Sequence, residues 1–314
     1  MAPKVEKLPI RSFGVGEGPH WDIERQSLYL IDTVGVAIAR YDLATNKSYI
    51  AKLDLSALNF IIPVAGSKEK FVIGSGHRLY IISWDGLSDK IDSIEVLHEL
   101  TDVLDKNGIN DAKCDASGRL WFGTLDMDSI KYGHEITPTG KIYSYSKEEG
   151  CREQASGIYL SNGIVWDAEG KKMYYNDTYA FSVDSFDCNS DGTIGNRKVI
   201  FNFKENNIKA PLPDGLTIDK DGKLWIALFG NSEVLRIDPE TRKILERVAI
   251  PAAEVTSLAW GGPNLEDLYV TTGNIHPEEG LPFQGGDIIG PDDGCTFRIS
   301  GLSTSGLPMV PFKL

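Results

Sequence analysis

A chain of 314 residues with 41% apolar, 25% charged and 10% aromatic side chains has the composition of a folded globular protein, well away from the disordered range. Its 45 acidic against 32 basic side chains, a formal charge of -13, argue against nucleic acid and anionic membrane surfaces as partners, since both would be repelled. No apolar run reaches the roughly 18 residues of a membrane span. The four cysteines, Cys114, Cys151, Cys188 and Cys295, are too far apart for zinc or redox motifs and read as reduced thiols of a cytoplasmic protein.

The opening stretch, Met1 to Arg11, mixes Lys4, Glu6, Lys7 and Arg11 among apolar residues and lacks the unbroken apolar core of a signal peptide. Gly16-Glu17-Gly18-Pro19-His20-Trp21 comes next, followed by Leu28-Tyr29-Leu30-Ile31-Asp32, an apolar strand that ends on a polar residue. The same pattern recurs in Phe71-Val72-Ile73-Gly74, Leu120-Trp121-Phe122-Gly123, Met173-Tyr174-Tyr175-Asn176, Leu224-Trp225-Ile226-Ala227 and Leu268-Tyr269-Val270-Thr271. Each reads as a buried strand. Their second residues, at 29, 72, 121, 174, 225 and 269, are spaced by 43 to 53 residues, close to the length of a propeller blade. Turns rich in Asp and Gly precede several of them, as in Asp115 to Arg119, Asp167 to Lys171 and Asp219 to Lys223. Alternating strands such as Ile38 to Asp42 and Val234 to Asp238 follow. Helical periodicity is nearly absent, so the spacing predicts an all-β, six-bladed β-propeller over residues 1–314 as a single domain. The two longest gaps, Leu125 to Thr139 and Gly273 to Gly294, are rich in Gly, Pro and acidic residues and read as surface loops, one of them expected over the mouth of the channel.

Four elements carry carboxylates or amides just upstream of an inner strand. Glu17 lies 12 residues before Tyr29, Asn110 11 before Trp121, Asn162 12 before Tyr174 and Asp214 11 before Trp225. Equivalent points of different blades lie on one ring about the axis, so these side chains can converge. Taken singly, Asn162-Gly163 and Asp214-Gly215 are ordinary turn dipeptides. Together, Glu17, Asn162 and Asp214 form a hard oxygen donor set for one central divalent ion, which suits calcium, magnesium or manganese better than zinc. Three protein ligands leave positions open for water and substrate. The five histidines, His20, His77, His98, His134 and His276, show no metal spacing, and His20 beside Trp21 reads as a packing residue.

With Asn110 to Asp115, Tyr174 to Asp177 and Gly261-Gly262-Pro263-Asn264 added, these elements resemble in order those of the regucalcin, gluconolactonase and luciferin-regenerating-enzyme family, over nearly the whole chain. Phe60 to Ser67 and the ending Phe312-Lys313-Leu314 are most like its insect branch. The resemblance implies metal ligation by Glu17, Asn162 and Asp214, and a place for Asn110 beside metal and substrate. Ala112 stands where the family has Gly. Gly108 stands where sugar-lactonase members carry a substrate-binding Arg, and Asp128 where they carry a substrate-binding Glu.

The expected activity is metal-assisted hydrolysis of a small cyclic ester such as an aldonolactone. Asp214 would accept a proton from water, Asn110 would position water or substrate, and Asp128 would bind a substrate hydroxyl. The loss of Arg at Gly108 predicts poor sugar-lactone turnover, restored in part by Gly108→Arg. Two other readings follow from the resemblance: a calcium-binding regulatory protein without turnover, and a protein that acts on or binds an aromatic heterocycle such as oxyluciferin. The expected partner is a small molecule, and the chain is expected to be a monomer.

Overall fold

The structure, a computed structural model, describes residues 2–208, 212–275, 290 and 292–314. Its strands run in chain order as antiparallel sheets that follow the sequence repeats. After β1 (Lys4–Lys7), the first sheet is β2 (Gly16–Asp22), β3 (Ser27–Asp32), β4 (Ala37–Asp42) and β5 (Lys47–Lys52). The second is β6 (Phe60–Pro63), β7 (Lys70–Ser75), β8 (Arg78–Ser83) and β9 (Ser93–Glu99). The third is β10 (Asn107–Cys114), β11 (Leu120–Asp126), β12 (Gly140–Ser146) and β13 (Gly150–Ile158). The fourth is β14 (Ser161–Trp166), β15 (Lys172–Asp177), β16 (Ser182–Cys188) and β17 (Ile194–Asn202). The rest of the chain forms one eight-stranded sheet from β18 (Leu212–Ile218), β19 (Leu224–Phe229), β20 (Glu233–Asp238), β21 (Lys243–Ala249), β22 (Glu254–Gly261), β23 (Asp267–Gly273), β24 (Phe297–Ser300) and β1.

The fold is therefore an all-β, propeller-like one, with a difference from the six separate blades the repeat predicts. Four sheets stand alone, while the last two repeats share one sheet because Phe229 at the end of β19 pairs with Glu254 at the start of β22. The ends of the chain meet: β1 pairs with β24, Val5 opposite Ile299, so a strand from the N-terminus completes the sheet begun by the C-terminal ones. No helix among the described residues is long and apolar enough to cross a membrane.

The second strand of each sheet is buried on both faces because neighbouring sheets press on each. Leu224 to Leu228 are all fully buried, and Trp225 meets Trp260 edge-on at 5.5 Å. The Asp-Gly turns explain how these tryptophans are held. One oxygen of Asp115 accepts from the backbone N–H of Ser117 and Arg119, and the other accepts from Trp121 Nε1 at 2.8 Å. Asp219 does the same for Asp221, Lys223 and Trp225 Nε1. Gly118 and Gly222 supply the left-handed φ, +83° and +72°, that these turns need.

The end of the molecule where first and second strands join is sealed by the C-terminal tail. Gly306 bridges to Asp219, Phe312 to Val64, and Lys313 N–H donates to Gly118 O at 2.9 Å. At the opposite end the segment from Leu125 to Thr139 is not wholly loop. It holds α1 (Met127–Tyr132), capped by the Asp126 side chain, which accepts from Ser129 N–H, and ended by Gly133 at φ 67°. Most of the second long segment, 276–289 and 291, lies outside the described residues, as does His276.

Candidate metal centre and active-site cavity

The four expected site residues all sit at irregularities of an inner strand. The register of β2 on β3 shifts between Glu17 and His20, that of β10 on β11 between Ile109 and Ala112, that of β14 on β15 between Ser161 and Ile164, and that of β18 on β19 between Pro213 and Leu216. These are bulges, which leave a residue unpaired and re-aim its side chain. Asn162-Gly163 and Asp214-Gly215 are thus not hairpin turns. Their glycines admit the neighbouring inner strand, since a Cβ on Gly163 would collide with Leu216 and one on Gly215 with Ser257.

The bulges bring Glu17, Asn110, Asn162 and Asp214 to one cavity of about 210 Å³. That is below the roughly 300–1,000 Å³ of sites for drug-sized ligands, so the cavity suits a small molecule. Asp128 is not among its lining residues: it is exposed on the first turn of α1, where a carboxylate favours the helix N-terminus. Its neighbours Met127 and Ile130 line the cavity instead. Gly108 does not line it either, and the space a side chain there would take is held by Met127.

Hydrogen bonds fix the donor set. Asn162 Nδ2 donates to Thr178 Oγ1 at 2.8 Å, and that hydroxyl donates to Pro213 O at 2.7 Å, tying the amide to the segment that carries Asp214. Asn110 Nδ2 donates to Ser161 O at 2.7 Å and to Asn162 Oδ1 at 3.2 Å. Asn176 Nδ2 donates to the backbone carbonyl of Asp214 at 2.7 Å. Further back, Asp177 accepts from Tyr159 and Leu160 N–H, and Asp32 from Gly14 and Val15 N–H, two residues ahead of Asn162 and Glu17. Thr178 was missed in the sequence because a hydroxyl after a strand has no signature of its own. Asn59, whose Oδ1 is buried without a partner beside the cavity, was missed for the same reason.

The buried charged groups at and around the cavity are acidic on balance. Burial, then the charge of Asp111, pushes the Glu17 carboxyl up to about 8; burial, then Glu17 and Asp111, raises Asp214 well above the usual carboxylate range. Burial also raises Asp111, and pushes the Lys113 ammonium down to about 8 despite Asp111 beside it. Fully ionised, these three carboxylates and one ammonium leave two negative charges in excess, which one divalent ion offsets. Glu17, Asn162 and Asp214 fit such an ion as two carboxylates and an amide. Among the described residues no three His, Cys, Asp or Glu side chains are grouped where they could hold a metal ion. His20 is buried below the cavity, its Nδ1 without a partner, and burial followed by the Lys113 charge holds it down at about 3. It packs and does not ligate.

A pH dependence follows. The folded pKa of Glu17 is raised above its ordinary 4.5, so its contribution to stability is full below that value and is lost as pH rises through about 8. His20 acts below about 6.5 and Lys113 above about 8, which leaves the buried carboxylates dominant between. Chelator-treated protein is expected to stay folded, because its stability comes from buried apolar strands, but to lose melting temperature from pH 6.5 to 8. Added divalent ion should remove most of that loss, since binding strengthens as carboxylates ionise. A melting temperature flat with pH in chelator would contradict the assignment.

Comparison with known proteins gives the family. Residues 15–274 match the family described as SMP-30/Gluconolactonase/LRE-like region. The chain is 31% identical over 309 residues to regucalcin of Danio rerio, covering 97% of each. It is 33% identical over 302 residues to a Bacillus subtilis protein provisionally named a sugar lactone lactonase, covering 95% of this chain and 94% of the relative. Among solved structures it superposes on a luciferin-regenerating enzyme with a TM-score of 0.91 at 34% identity, covering 100% of both chains. With the family match spanning most of the chain and relatives above 30% identity over nearly all of it, this protein belongs to the SMP-30/gluconolactonase/LRE-like family.

Proposed function

We propose that the protein is a divalent-metal-dependent hydrolase of small cyclic esters, working as a single chain on a small molecule. The observation that carries this reading is that Glu17, Asn110, Asn162 and Asp214, from four different inner strands, line one small cavity. In the same reading the eight-stranded sheet counts as two blades joined at Phe229 and Glu254, which makes six around the cavity.

Glu17, Asn162 and Asp214 would hold calcium, magnesium or manganese, with zinc less suited to oxygen donors. When bound, the ion supplies Lewis-acid polarisation of the ester carbonyl. Asp214 would accept the proton of the water that adds to the ester carbonyl and return it to the ring oxygen as the ring C–O bond breaks. Asn110 keeps Asn162 in place through its Nδ2 and borders the substrate. Thr178 fixes the orientation of the Asn162 amide, an outer-shell role. Asp128 has no part in this reading.

A second reading, action on an aromatic heterocycle such as oxyluciferin, is favoured by the apolar residues of the cavity wall and by the likeness to a luciferin-regenerating enzyme. The test is to strip the protein with chelator, reload it separately with calcium, magnesium, manganese and zinc, and assay a panel of lactones. Hydrolysis in loaded protein alone is expected. Bound metal with no turnover of any lactone would overturn the proposal. Thermal stabilisation by oxyluciferin would then favour the aromatic reading, and its absence a calcium-binding regulatory role.

A further inference from the structure

Apolar side chains make up much of the cavity wall. Met127, Ile130, Leu125, Leu160, Leu212 and Phe229 line it beside the carboxylate and amide groups, the other polar side chains there are the neutral Thr33, Asn59, Thr178 and Tyr179, and among the described residues no Lys, Arg or His lines it. A carboxylate or phosphate on a ligand would find no cationic side chain in this lining and would have to be met by the ion. Ligand hydroxyls directed at these apolar residues would face aliphatic and aromatic carbon, each unmet one costing about tenfold in affinity.

Met127 makes the wall apolar where the backbone would permit otherwise. Gly108 is not in the left-handed region, so a side chain there is free of backbone strain, yet its Cβ would stand 2.8 Å from Met127 Cγ and 3.3 Å from Met127 Sδ. Met127 is held in place from several directions. Its N–H donates to Lys106 O at 2.8 Å, the preceding Asp126 caps α1 and is paired with Lys106 Nζ at 2.6 Å, and Asn107 Nδ2 donates to Thr139 O at 2.8 Å, closing the base of the segment. The thioether is polarisable and adapts to aliphatic or aromatic surface.

We propose that the cavity selects ligands with one polar end and an apolar ring or chain, and that Met127, seated over Gly108, is the specificity-determining residue. The inference rests on the cyclic-ester reading for the polar end of the ligand and deepens it by naming the substrate class. It also changes the expectation for Gly108→Arg, which cannot by itself restore sugar-lactone turnover while Met127 fills the space.

The test compares kcat/KM for a γ-lactone bearing an alkyl chain with that for gluconolactone, in metal-loaded wild type, Met127→Gln, Met127→Ala, Gly108→Arg and the Gly108→Arg/Met127→Ala double variant. Equal metal stoichiometry and melting profiles serve as the check on folding. Wild type should prefer the alkyl lactone by about 100-fold, from two or more unmet hydroxyls on the sugar. Met127→Gln, similar in volume but polar, should narrow that ratio about tenfold, and Gly108→Arg should gain on gluconolactone only in the Met127→Ala background. A wild-type ratio near one, or a ratio unmoved by Met127→Gln, would overturn the inference while leaving lactone hydrolysis standing. If no lactone is turned over, calorimetry with the alkyl lactone and with a neutral bicyclic aromatic decides separately. Binding weakened by Met127→Gln supports the inference without the hydrolase reading, and no binding of either probe to loaded wild type sinks it.

Discussion

Asp214→Ala and Glu17→Gln are each expected to weaken divalent-ion binding by more than about 100-fold, beyond the 10- to 100-fold that loss of an outer-shell partner costs. Each removes one of two negative donors from a set of three, and the other amide oxygens of the cavity, on Asn110 and Asn59, carry no charge to replace it. Asp214→Ala also takes away the proposed proton acceptor, so its hydrolytic activity should not recover at saturating metal, whereas that of Glu17→Gln should recover in part. Calorimetric titration of the ion, together with turnover measured against metal concentration, checks both statements. Unchanged affinity in both variants would mean that the ion is held elsewhere.

Gly215→Val should cost about 3 kcal/mol of stability, the upper end of what overpacking costs, and should displace Asp214 at the same time. A Cβ at Gly215 would lie 2.6 Å from Ser257 Cα, a backbone atom of the adjacent inner strand that cannot rotate away. Gly195→Val is the control: its Cβ would meet only Asn189 Nδ2, at 3.8 Å, in the outer strand β17, and should change stability by no more than about 0.5 kcal/mol. Thermal unfolding of both variants, with and without divalent ion, separates the packing effect from the ion's own contribution. Equal melting temperatures would show that the inner strands can part at no cost, and would remove the packing reason for glycine after a ligand residue.

Much of this protein was legible in its sequence. The period of apolar strands marks the repeats because each sheet must bury both faces against its neighbours, and the matched offsets of Glu17, Asn110, Asn162 and Asp214 follow from one bulge recurring at the same place in four repeats. What only the tertiary structure decided depends on contacts between repeats. The pairing of Phe229 with Glu254 merges two sheets, which no local pattern encodes. Asp128 and Met127 are adjacent in the chain, yet the turn of α1 exposes the carboxylate and sends the thioether to the cavity, because helix caps at Asp126 and Gly133 fix which way that short segment faces. The buried balance of Glu17, Asp111, Asp214 and Lys113 likewise arises from strands that are neighbours only around the ring, where low-dielectric surroundings make each charge felt by the others. Residue types at a fixed spacing therefore brought four polar groups to one cavity, while the apolar part of its wall was decided by how distant segments pack.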